Sequence, residues 1–121
     1  MIGGHDIIMR APSANPEFVF KESVERIKLI WPNAVAEDGD TGETLTTNGW
    51  DGAYMGVREI MVYKDEAART QWNDDAPLNT MVHIIHGKWD KITVVVDDPN
   101  HKETKQIVDA IRSLLKLAVR A

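Results

Sequence analysis

The chain has 121 residues, of which 43% are hydrophobic and 27% charged, with no cysteine and a formal net charge of −5. This size and mix support one hydrophobic core, hence one α+β domain over residues 1–121. The lack of cysteine excludes disulfides, thiol nucleophiles, thiolate zinc sites and iron–sulfur clusters, and the acidic balance argues against a nucleic-acid partner.

His5 to Arg10 is a short apolar run between Gly3-Gly4 and Pro12 and reads as a strand, with a sheet edge as its candidate place. Asn15-Pro16-Glu17 then supplies an N-cap, a proline suited to the first helical turn and an acid that favours the helix N-terminus. Phe20, Val24, Ile27 and Trp31 recur at i, i+4, i+7 and i+11 and form one buried stripe, which Pro32 ends.

Residues 33–38 alternate as a strand and lead into the turn Asp38-Gly39-Asp40-Thr41-Gly42. A short strand near 44–48 precedes a loop in which Asn48-Gly49 and Asp51-Gly52 crowd around Trp50. Arg58 to Tyr63 is the next strand, and Asp65 caps a short helix running to about Trp72.

Thr80 to Ile85 and Lys91 to Val96 are β-branched runs separated by His86-Gly87-Lys88-Trp89-Asp90, a hairpin with Trp89 near its tip. Asp97-Asp98-Pro99 reads as the capped start of a last helix. Its stripe is Ile107, Ile111, Leu114, Leu115 and Ala118. The expected order is β-α-β-β-β-α-β-β-α, a mainly antiparallel sheet of about five strands with helices packed on one face.

Charge is unevenly divided. Residues 101–121 carry five Lys/Arg against two Asp/Glu, a net of +3, which leaves −8 for residues 1–100. Lys105, Asp109, Arg112, Lys116 and Arg120 line the polar side of the last helix, a solvated face that could also dock an acidic partner.

No residue pattern specifies a reaction. His83 and His86 are three apart on a strand, so their rings point to opposite faces and make no metal pair. The acidic turn at 38–43 departs from calcium-loop spacing, since Gly42 and Gly49 stand where ligands would be needed. Asp97 and Asp98 are explained by the start of the helix, Ser13, Ser23 and Ser113 lack a nucleophile-elbow context, and Gly49, Gly52 and Gly56 match no phosphate-binding motif. Catalytic, cofactor-binding and metal-binding residues are therefore assigned to none.

Tryptophan outnumbers phenylalanine two to one. Trp31 fits its helix and Trp72 a core corner, whereas Trp50 and Trp89 lie in turns rich in Gly and Asp, where a partner contact competes with packing. Trp50, Trp89, Arg112 and Lys116 are the candidate partner-binding residues. The expected partner is another protein, or a second copy in a homodimer.

The expected function is a small non-catalytic binding protein that inhibits, escorts or regulates another protein. In its small acidic α+β character the chain resembles bacterial toxin-immunity proteins, and its element order is similar to that of type III secretion chaperones, apart from the additional strand at His5 to Arg10. The alternative is a small enzyme or small-ligand-binding domain with a site assembled from dispersed residues such as His83, Asp97, Arg58 and Tyr63. The N-terminus lacks the basic start and apolar stretch of a secretory signal, and no apolar run is long enough for a membrane span, so the expected location is cytoplasmic.

Overall fold

A computed structural model describes residues 4–11, 14–45, 54, 56–71 and 76–120, with side chains through Lys116. Its elements follow the expected order: β1 (His5–Arg10), α1 (Pro16–Ile30), β2 (Val35–Asp38), β3 (Thr44–Leu45), β4 (Glu59–Tyr63), α2 (Glu66–Thr70), β5 (Met81–His86), β6 (Lys91–Val96) and α3 (Lys102–Arg120). All six strands join one antiparallel sheet in the order β1-β6-β5-β4-β2-β3. Among the described residues the sheet thus takes in every strand of the expected order.

Period-2 alternation sorts each strand's residues between two faces. Ile7, Val94, Ile84 and Ile60 stand beside one another across four strands and face the long helices, and the last three are fully buried. The next positions along each strand turn away, giving a row of Asp6, Val95, His83, Met61, Glu37 and Thr44 on the other face.

Helix α1 begins as its sequence requires, with the Asn15 side chain accepting the Glu17 N–H at 2.8 Å and Pro16 in the first turn. It buries Val19, Phe20, Ser23, Val24 and Ile27, and Trp31 at its C-terminus is also buried. Helix α3 buries Ile107, Val108, Ile111, Leu114 and Leu115, four positions of the expected stripe and one added, while the side chain of Ala118 lies outside those described. The two helices pack on each other and on the sheet, and each fully buried aliphatic side chain contributes about 2 kcal/mol.

The first turn of α1 and the first turn of α3 lie at opposite ends of the sheet. Asn15 and Glu17 border His86 beside the β5–β6 hairpin, whereas Leu29 and Ile30 of α1's last turn border His101, Lys102 and Gln106. The helices are thus antiparallel, and the C-terminal half of α3 runs back towards the hairpin end. Helix α2 is a single short element whose Ala68 joins Tyr63 and Met81 in a satellite cluster.

Three local readings change. Helix α3 starts at Lys102, not at Pro99, because the Asp98 carboxylate accepts the Asn100 N–H at 2.9 Å and holds an Asx turn. Asp98 is therefore not its N-cap. Helix α2 ends at Thr70, two residues short of Trp72, which lies outside the described residues. His86 is the last residue of β5 rather than a turn residue, and its side chain is only 16% exposed on the helix-covered side.

Candidate functional site

The hairpin end of the sheet gathers the features most in need of a functional explanation. Residues Lys88–Asp90 form a single 3-10 turn between β5 and β6, closed by Gly87 N–H donating to Lys91 O at 2.8 Å and by Lys91 N–H donating to Lys88 O. Both Trp89 (φ 61°, ψ 34°) and Asp90 (φ 55°) adopt the left-handed conformation. Paired positive φ is the geometry of a type I′ hairpin turn, normally made by Asn-Gly.

Asp tolerates this conformation through its short polar side chain, but a bulky aromatic there costs on the order of 1 kcal/mol. Packing inside this chain does not offset that cost, because Trp89 is 87% exposed. Ala11 N–H donates to Asp90 O at 3.1 Å and ties the turn to the end of β1.

Beside the hairpin lies a hollow of about 260 Å³, lined by Asn15, Glu17, Tyr54, Val57, Arg58 and His86 among others. Tyr54 is only 1% exposed, yet its hydroxyl has no hydrogen-bond partner among the described residues; the Nε2 of His86 also lacks one there and stands 3.9 Å from Asp90 Oδ1. Burial first and the nearby Glu25 carboxylate second push the Tyr54 hydroxyl up to about 12, so it is neutral at physiological pH. Arg58 at the rim pairs with Asp40 at 3.3 Å, both largely exposed.

The partner-binding candidates separate. Trp50 lies outside the described residues. Trp89 projects from the hairpin tip, while Arg112 and Lys116 are exposed on α3, in the half that returns towards that end. Arg112 approaches Asp109 one turn earlier at 3.6 Å, and Lys105 and Lys116 also face solvent.

The four dispersed residues of the alternative reading do not converge. Arg58 precedes β4 and Tyr63 ends it, a separation of about 16 Å at 3.3 Å per residue. The Tyr63 hydroxyl donates to Glu37 Oε1 at 2.9 Å, with Arg69 at 3.5 Å from the other carboxylate oxygen. Burial and this carboxylate raise the Tyr63 hydroxyl well above its ordinary value. His83 approaches Glu59 at 3.6 Å, and Asp97 holds the backbone of Asn79. Each has its own local role.

Tyr54 and the Glu37 and Arg69 partners of Tyr63 escaped the sequence reading. Tyr54 sits in a stretch rich in Gly and Asp without periodicity, so no pattern marked it as buried. Tyr63 lay in a strand expected from the sequence, but a local pattern does not tell which strand would meet it.

Among the described residues no group of three or more His, Asp or Glu converges to hold a metal ion, and no helix is long and apolar enough to cross a membrane. The chain matches no protein-family model, no curated protein and no solved structure.

Proposed function

We propose that this protein is a non-catalytic binding protein that inhibits, escorts or regulates another protein, and that Trp89 at the hairpin tip is its anchor. One observation carries this reading: a tryptophan held in a left-handed turn conformation and left 87% exposed. Strain that no internal contact repays is expected where an external contact uses it. Tryptophan suits that use, because it buries a large area on binding at little rotamer cost.

Arg112 and Lys116 lie on the basic face of α3, in the half that approaches the same end of the fold. A partner with an apolar socket beside an acidic surface fits both features. The test is purification from the native host with identification of stoichiometric partners by mass spectrometry, in the wild type and in Trp89→Ala. Loss of the partner with an unchanged melting temperature supports the reading; undiminished capture by the variant refutes Trp89 as the anchor.

A second reading, small-ligand binding, draws on the hollow beside Tyr54 and His86, whose two unpartnered polar atoms would suit a small polar molecule. It shares only Arg58 with the four residues first considered for such a site. Small-molecule analysis of the natively purified protein separates it from the first, since a bound metabolite lost in Tyr54→Phe would favour the hollow.

A further inference from the structure

The sheet has two edges. One is β3, Thr44–Leu45; the other is β1, six residues long and, among the described residues, paired on one side only, to β6. An open strand of this length displays backbone donors and acceptors ready for another strand.

The direction of those groups follows from the pairing with β6. Ala11 donates its N–H to Asp90 O, on the β6 side. Backbone groups alternate sides along a strand, so Met9 and Ile7 also bond to β6, while the N–H and C=O of Asp6, Ile8 and Arg10 point out of the open edge. The side chains of these same three residues are exposed, on the face away from the long helices, and Ile8 is 55% exposed.

Asp6 and Arg10 form no ion pair among the described residues. Four residues apart on an extended strand, they are about 13 Å from each other and cannot pair within the chain.

We propose that β1 pairs antiparallel with β1 of a second copy of this chain, about a two-fold axis through Ile8. This register sets Asp6 opposite Arg10 of the second copy twice, Ile8 opposite Ile8 once, and, on the helix-covered face, Ile7 opposite Met9 twice. The outward-pointing backbone groups of Asp6, Ile8 and Arg10 are those such a ladder requires, and the two six-stranded sheets become one continuous sheet of twelve.

Neighbouring registers lack this complementarity. A two-fold at Asp6 or at Arg10 opposes like charges, and one at Ile7 or Met9 leaves both charges facing apolar or small residues. The same charges that discourage an arbitrary strand therefore select this one. Because the pairing is antiparallel, the two Trp89 tips point to opposite ends of the assembly and stay open to other partners.

One strand pair is a small interface, so the dimer is weak and depends on concentration. The test is sedimentation velocity of the full chain from about 1 µM to about 1 mM, with circular dichroism to confirm folding. Wild type is expected to pass from monomer to dimer across this range. Asp6→Arg and Arg10→Asp should each weaken the dimer by about tenfold or more, since each places like charges opposite one another twice. The double variant D6R/R10D restores the pairs in reverse and should return to within about threefold of wild type.

Ile8→Lys, which puts two lysines on the axis, should be monomeric and provides a second check if a charge reversal fails to fold. A wild type that stays monomeric throughout would assign the edge to a different chain and overturn the proposal. Single reversals that dimerise like wild type, or a double variant that does not recover, would overturn it as well.

Discussion

Asn79, before β5, donates its backbone N–H to Oδ2 of Asp97, after β6, at 2.8 Å. The Asp98 N–H returns a bond to Oδ1 of Asn79 at 3.1 Å. This reciprocal pair staples the loop before β5 to the corner that launches α3. Asn79 also has a φ of 60°, a conformation that Asn adopts more readily than most residues.

Asn79→Ala combines a side-chain acceptor lost to the Asp98 N–H with an unfavourable backbone conformation. It is expected to lower stability by about 2 kcal/mol in urea titration. Asn79→Gly keeps the conformation while losing the same side-chain bond, so it should cost less. If the two variants cost the same, the positive φ carries no energetic weight here.

Trp89→Asn places a residue suited to the left-handed region at the first strained position of the hairpin. It should raise stability by about 1 kcal/mol and the melting temperature by about 4 °C. The same variant should lose the protein partner proposed above. A stabilising substitution that abolishes capture would mark Trp89 as a residue retained for contact rather than for folding; a fall in melting temperature would show that the tip packs more than its exposure indicates.

Tyr54→Phe removes a buried hydroxyl that has no partner, so it should raise stability at pH 7 by about 1 kcal/mol. Its effect at high pH has a definite sign. Below pH 10 Tyr54 is protonated in both states; between 10 and about 12 the unfolded chain ionises it while the fold keeps the proton. The unfolded state then binds fewer protons, and stability falls as pH rises through this window. Denaturant titrations at stepwise pH should show this decline in wild type and a smaller one in Tyr54→Phe, and parallel curves would place the alkaline loss elsewhere.

The extent to which the sequence was readable varied along the chain. The stripes of α1 and α3 and the alternation of β5 and β6 are repeated local signals, each reinforced by several residues, and they predicted the elements within one to three residues. The start of α3 moved because Asp98 could either cap a helix or close an Asx turn, two uses of one carboxylate that local sequence does not distinguish. The position of His86 shifted by one strand boundary, which moved its ring from solvent to the hollow.

What the sequence determined by itself was the list of elements, their order and the faces they bury, because a period of 3.6 or 2 is a property of neighbouring residues. The tertiary structure alone decided the strand order, in which β1 crosses to pair with β6, since pairing between distant segments depends on how the whole core closes. That closure turned Asp97 from a candidate acid into a staple for Asn79. It also left Asp6, Ile8 and Arg10 on an open edge, and it put Trp89 at a strained and exposed tip.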